Sequence, residues 1–161
     1  MRSFSDMKQF AKIFLILISI CWLGFIFSNS LKPADSSTEQ SDKIVDVTET
    51  IIDTVVPNNS IHRSDLAVFV RKTAHFTEFC ILSVLVTLTC ITFTERKRAY
   101  PTVSLILCAP ACITDELLQL TSSGRACSVL DMLLDYLGVV TGFIIVLFLF
   151  LLIRKKKRTK L

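Results

Sequence analysis

The sequence lacks the cysteine patterns that stabilise small soluble domains. Five of its six cysteines lie inside apolar segments: Cys21, Cys80, Cys90, Cys108 and Cys112. Only Cys127 lies in a polar segment, and no CxxC motif is present, which excludes both a disulfide framework of exposed cysteines and a CxxC-type zinc site. Cys108 and Cys112 are one helical turn apart, a spacing that also suits a metal, but burial as small core residues is the favoured interpretation.

Charge is also missing over long stretches, and no charged residue occurs from Ile13 to Phe27. With 52% apolar residues and a mean hydropathy of +0.58, the 161-residue chain is more apolar than a typical soluble domain. The apolar residues form long blocks rather than a helical or strand period. This pattern predicts an all-α integral membrane protein with a single domain, residues 1–161, whose main partner is the lipid bilayer.

Four segments are long enough to cross a bilayer as helices, namely residues 10–28, 66–93, 100–120 and 129–153. The first could instead be a signal peptide cleaved near Ser28-Asn29-Ser30, but bulky Trp22 and Phe25 close to that site argue against cleavage. Between the first two spans, residues 41–56 have the period of an amphipathic helix, ended by Pro57 and lying on the outer side. Its acidic face is predicted to be solvated. A four-helix bundle with one surface helix is therefore expected.

The distribution of charge predicts the orientation of these spans. With the N-terminus inside, the inner segments hold 12 of the 18 Lys and Arg residues and only two acids, Asp6 and Glu95. This asymmetry satisfies the positive-inside rule, so we expect a multi-pass protein of the cell membrane with both termini cytoplasmic. The basic tail from Arg154 to Lys160 directly follows a span, and no nucleic-acid partner is predicted.

In this orientation, polar residues of three spans and one loop meet on the outer side. They are Lys72, His75 and Glu78 of the second span, Asp115, Glu116 and Gln119 of the third, Arg125 in the loop, and Asp131 and Asp135 of the fourth. An isolated charge at membrane depth costs about 2.5–3.5 kcal/mol, so these side chains should face one another or water. Gly138 and Gly142 form a small-xxx-small pair, which predicts close helix packing.

Two of these patterns resemble the signatures of the VanZ-like family. Arg71-Lys72-x-x-His75-Phe76-x-Glu78 is similar to its Lys-x-x-His-Phe-x-Glu motif. Asp115-Glu116-x-x-Gln119, Gly124-Arg125, and Asp131-x-x-x-Asp135-x-x-Gly138-x-x-x-Gly142 resemble its second signature, and Phe27-Ser28-Asn29 its opening. Phe79 departs from the tyrosine that the family often has. The resemblance implies a cell-envelope role linked to resistance against glycopeptide antibiotics such as teicoplanin, without a defined reaction.

Several functions are compatible with these residues. In the first, the protein acts on a lipid-linked cell-wall precursor at the outer face, with His75 and Glu78 as general acid and base. Asp115 and Glu116 would orient His75 or bind a divalent cation of unknown identity. The remaining candidates would bind the substrate, with Lys72 and Arg125 holding a phosphate or carboxylate: Lys72, Gln119, Arg125, Asp131 and Asp135.

Three alternatives compete with this hypothesis. The protein could bind the precursor without chemistry, so that enzymatic activity stays undecided, or the cluster could be a structural ion-pair network that only fixes the bundle. Asp131 lies three residues after Ser128, the spacing of a capping box, and would then only start a helix. A small transporter is disfavoured because the inner halves of the spans carry no matching charges.

Overall fold

The computed structural model describes residues 4–55, 62–93 and 102–158, and these form five α-helices without any strand. The helices are α1 (Phe4–Ser30), α2 (Ala34–Val55), α3 (Arg63–Phe93), α4 (Val103–Gln119) and α5 (Val129–Arg158). The all-α prediction is confirmed. Three features expected from the sequence lie outside the described residues: the end of the surface helix at Pro57, the basic turn 95–98 and the start of the third span at Tyr100.

Three of the helices are long and apolar enough to cross a membrane: Asp6–Ser30, Arg63–Phe93 and Val129–Lys156. Their outer surfaces carry large apolar side chains such as Phe10 and Phe148, which are 65% and 60% exposed. Such surfaces are unfavourable in water and cost nothing in hydrocarbon, so a lipid bilayer is the compatible environment. The fourth candidate, α4, is shorter at 17 residues.

Helices α3 and α5 pack at very short range through two glycines. A Cβ atom on Gly138 would lie under 3.0 Å from the backbone oxygen of Phe76, and one on Gly142 equally close to that of Cys80. Only glycine permits this approach of two helix backbones. The close packing predicted from the small-xxx-small pair is confirmed.

Helix α4 closes the core against α3 and α5. Cys108 and Cys112 on α4 are buried with Phe79 of α3 and Val139 of α5, so both cysteines are core residues as expected. A buried hydrogen bond from the Thr87 hydroxyl to the Ser104 Oγ, 2.8 Å long, joins α3 to α4 and satisfies two polar groups inside the bundle.

Helix α1 is part of the same core. Ile26 is fully buried, and Trp22 and Phe27 pack against the core cluster. The Trp22 indole N–H donates a 2.9 Å hydrogen bond to the backbone oxygen of Glu78 on α3. These contacts attach α1 to α3 and to the core cluster.

Helix α2 is joined to the start of α3 by an exposed ion-pair network. Arg63 lies 3.3 Å from Asp42, 2.7 Å from Asp46 and 2.8 Å from Glu49, while their neighbour Val45 on α2 is buried. The three acids are 46%, 62% and 41% exposed, so the acidic face is solvated as expected, and the arginine that begins α3 also pairs with all of them. Exposed pairs of this kind contribute little to stability and mainly fix where α2 lies.

Candidate functional site

The candidate residues meet at one end of the helix bundle. Helices α1 and α4 end there. Helices α3 and α5 begin there and carry their polar residues in their first halves. Helix direction therefore alternates around the site, and each helix presents its polar residues at the same level. Four helices contribute, one more than the charged residues alone predict, because the end of α1 also takes part.

His75 and Asp115 form the centre of the site. The His75 Nδ1 lies 3.6 Å from Asp115 Oδ2, and Asp115 is fully buried. Two neutral groups hold this carboxylate: the Ser30 hydroxyl donates to Oδ1 at 2.5 Å, and the Gln119 amide donates to Oδ2 at 3.2 Å. Asp115 is thus fixed from α1 and from its own helix, and one of its oxygens faces the imidazole.

Glu116 fixes the loop between α4 and α5. Its Oε2 accepts a 2.9 Å hydrogen bond from the backbone N–H of Ser128, and its Oε1 accepts one of 3.1 Å from Gln119. The loop residue Gly124 has φ 76°, the left-handed backbone that glycine adopts readily and that suits it to the turn after α4. The loop that carries Arg125 is therefore attached to the end of α4.

Asp131 is both near the helix start and part of the site. Ser128 Oγ accepts a 3.4 Å hydrogen bond from the Asp131 backbone N–H, one half of a capping box. The other half is supplied by Glu116 from α4, which takes the Ser128 N–H. The Asp131 carboxylate is left to pair with Lys72 Nζ at 2.5 Å, a bond between α3 and α5.

A polar cavity of about 340 Å³ opens beside these groups. Seven of the nine candidate residues line it: Lys72, His75, Glu116, Gln119, Arg125, Asp131 and Asp135. Arg71 also lines it, so the cavity carries three cationic side chains as well as carboxylates. Arg125 has two buried nitrogens, Nε and Nη1, without a hydrogen bond within the described residues. Burial lowers the pKa of this guanidinium, since its surroundings disfavour the charge.

Asp135 is a buried acid of the cavity wall. Its side chain is 1% exposed, and its Oδ2 makes no hydrogen bond within the described part of the chain. A buried carboxylate oxygen without a partner is costly unless a proton or a cation neutralises it. His75 and Asp115 are its neighbours, and together the three residues could hold a metal ion.

Glu78 lies apart from this cavity and from the His75–Asp115 pair. Its Oε1 accepts a 2.9 Å hydrogen bond from the Asn29 amide, and the Asn29 oxygen accepts one of 2.9 Å from Lys32. Glu78 lines a separate, largely apolar groove of about 480 Å³ between α1, α2 and α3. The acid that the structure brings to His75 is Asp115 rather than Glu78.

Charge-based reasoning missed the neutral residues of the site. Asn29 and Ser30 at the end of α1 hold Glu78 and Asp115, and Ser122 attaches the loop to α1 through a 3.0 Å hydrogen bond to the Ser30 oxygen. The sequence contains one signal for them, since Phe27-Ser28-Asn29 is part of the family resemblance. Arg71, which belongs to the first motif but was not counted among the candidate residues, also lines the cavity.

These features define a class of protein: a helical membrane protein with a mixed-charge cavity at one end of its bundle. The family model described as VanZ/LLP1 matches residues 14–152. The chain belongs to the VanZ/LLP1 family. No curated protein and no solved structure matches it.

Proposed function

We propose that this protein binds the anionic head group of a lipid-linked cell-wall precursor in its polar cavity, at the outer face of the cytoplasmic membrane. Membership of the VanZ/LLP1 family and the positive-inside charge distribution support this location. Binding there would shield or modify the precursor and thereby reduce the action of glycopeptide antibiotics such as teicoplanin. The proposal includes four spans with both termini in the cytoplasm.

The path of the chain supports the fourth span. Helix α3 begins at the cavity end of the bundle and α4 ends at the same place, which supports a return of α4 through the thickness that α3 crosses. Its 17 residues extend about 25 Å, close to the roughly 30 Å of a hydrocarbon core. Helices α1 and α4 run toward the cavity, while α3 and α5 run away from it. With four crossings, both termini would therefore lie on the side of the membrane opposite the cavity.

The observation that carries the proposal is the state of Arg125. Two of its nitrogens are buried without a hydrogen bond within the described residues, yet the side chain lines an open cavity. Buried donors of a guanidinium require acceptors, and phosphate or carboxylate oxygens fit them best. Arg71 and Lys72 add positive charge to the same cavity. Its volume lies in the range of about 300–1,000 Å³ of small-molecule sites.

A second candidate function is a reaction on the bound precursor. His75 lies 3.6 Å from Asp115 and lines the cavity. This arrangement is that of a general base next to an acid that orients it. To test this candidate, the purified protein is incubated with the precursor and the masses of the products are measured by mass spectrometry. A mass change that His75→Ala abolishes supports chemistry, and an unchanged precursor supports binding alone.

The binding proposal is tested with protein purified into lipid nanodiscs. We expect it to bind a polyprenyl-pyrophosphate precursor and to ignore the corresponding polyprenyl alcohol, which lacks the anion. Arg125→Gln should weaken binding by about 10- to 100-fold, because it removes one or two charge-assisted hydrogen bonds to the anion. Arg63→Gln is the matched control, because Arg63 is exposed at the start of α3 and its ion pairs within the described residues are all with acids of α2.

Two results would contradict the proposal. Equal affinity for the pyrophosphate and the alcohol would show that the cavity does not recognise an anion. Loss of folded protein in Arg125→Gln, but not in Arg63→Gln, would favour the structural ion-pair network instead. Monodisperse elution and an unchanged Tm are therefore required of both variants before affinities are compared.

A further inference from the structure

Three helices bring three metal-binding atoms together at the wall of the polar cavity. His75 on α3, Asp115 on α4 and Asp135 on α5 each offer one ligand atom, and the three atoms lie within 4.8 Å of one another. Asp115 and Asp135 are buried, and His75 is largely so. The set is assembled by tertiary packing, since no two of the residues share a helix.

A second observation independently points to a ligand at this place. Asp135 is 1% exposed, and its Oδ2 has no hydrogen bond among the described residues, nor does the buried Nδ1 of His75. Both atoms are good metal ligands, and both belong to residues that line the cavity. A bound cation would supply the missing partner for each of them and offset the cost of burying two carboxylates side by side.

The surrounding hydrogen bonds are those of a prepared ligand set. Ser30 donates to Asp115 Oδ1 and Gln119 to Asp115 Oδ2, which fixes the orientation of this carboxylate. Such outer contacts commonly hold metal ligands in place. Glu116, an expected cation ligand from the sequence, has its two oxygens engaged by Ser128 and Gln119, so it does not complete the set.

We propose that His75, Asp115 and Asp135 bind one divalent transition-metal ion, of the Zn²⁺ or Mn²⁺ type. One imidazole nitrogen and two carboxylate oxygens suit such ions, and three protein ligands leave coordination positions open. These positions face the cavity, where a phosphate oxygen of the head group would complete the coordination. Only this last step rests on the proposed function, because the ion site itself needs no lipid.

The site is tested with purified, chelator-treated protein and Mn²⁺ alone, without lipid-linked precursor. Titration followed by electron paramagnetic resonance should show one bound Mn²⁺ per chain, with ¹⁴N modulation from a coordinated imidazole. His75→Ala should lose that modulation and weaken binding at least 10-fold, and Asp135→Asn should weaken it similarly. His62→Ala is the matched control, since it removes the only other histidine, which lies outside the cluster.

Competition identifies the class of ion. Zn²⁺ should displace the bound Mn²⁺, because shared nitrogen and oxygen sites follow the Irving–Williams order. Failure of displacement, absence of bound Mn²⁺ in the folded wild type, or unchanged ¹⁴N modulation in His75→Ala would overturn the proposal. A bound proton on Asp135 would then explain its burial. A protein that binds the precursor but no Mn²⁺ would contradict this inference while leaving the proposed function intact.

Discussion

Glu116 on α4 accepts the backbone N–H of Ser128 at 2.9 Å, twelve residues further along the chain. An acid from one helix thereby completes the cap of the next, a task that the acid three residues after the cap usually performs. Asp131 occupies that position but pairs with Lys72 instead. The loop that carries Arg125 is held between these two contacts, so the wall of the cavity depends on them.

Removing the Glu116 carboxylate should loosen this loop. Glu116→Ala leaves the Ser128 N–H without its acceptor, a loss of about 1–3 kcal/mol in the free energy of unfolding. Thermal unfolding in detergent measures the change, with Glu49→Ala, an exposed acid on α2, as the control that should leave Tm close to the wild-type value. Equal Tm values for the two variants would show that the contact does not stabilise the loop.

The glycines between α3 and α5 should be intolerant of even one methyl group. Gly142→Ala would place a Cβ under 3.0 Å from the Cys80 backbone oxygen, and the helices would have to separate. We expect a loss of about 1–3 kcal/mol in the free energy of unfolding. Gly24→Ala on α1 is the matched control, because nothing lies within 4 Å of the added Cβ and alanine favours a helix. Similar stability of both variants would contradict the close packing.

The Lys72 and Asp131 ion pair should contribute only modestly to stability. The two side chains are 43% and 34% exposed, so water screens their attraction despite the 2.5 Å separation. A double-mutant cycle of Lys72→Met and Asp131→Asn should therefore give a coupling free energy of about 0.5–1 kcal/mol. A coupling several times larger would mean that the pair is desolvated and acts as a structural clamp.

Labelling with a membrane-impermeant maleimide tests the orientation. In a variant without native cysteines, Ser123→Cys in the exposed α4–α5 loop should react in intact cells, whereas Lys155→Cys at the end of α5 should react only after lysis. The charge asymmetry is the reason for this expectation. The reverse pattern would place the cavity on the cytoplasmic side and contradict the proposed function.

Much of this arrangement follows from the sequence because helix direction must alternate across a membrane. Once the helices are recognised, charges at the end of one and the start of the next must lie at the same level. The glycine pair similarly predicts the α3–α5 contact. These side chains are charged or are glycines, so they are easy to recognise in the sequence. Their spacing along the chain is sufficient to predict how far along the bundle axis each one lies.

Spacing alone does not determine which neighbour a side chain faces. His75 and Glu78 are three residues apart, so their directions differ by about 60° around the helix axis. That rotation directs His75 toward Asp115 on α4 and Glu78 toward Asn29 on α1. Neutral residues such as Ser30 carry no charge signal, and the Glu116 contact with Ser128 depends on the loop conformation.

Photocrosslinking from within the cavity tests the central claim most directly. A photoreactive residue at Ala126, which lines the cavity, would be activated in cells, and the adduct analysed by mass spectrometry. The same photoreactive residue at Ile145, an exposed apolar position of α5, is the control and should crosslink ordinary membrane lipid. We predict a phosphorylated cell-wall precursor on Ala126 and not on Ile145, and its loss with Arg125→Gln. Only bulk phospholipid at both positions would contradict the account.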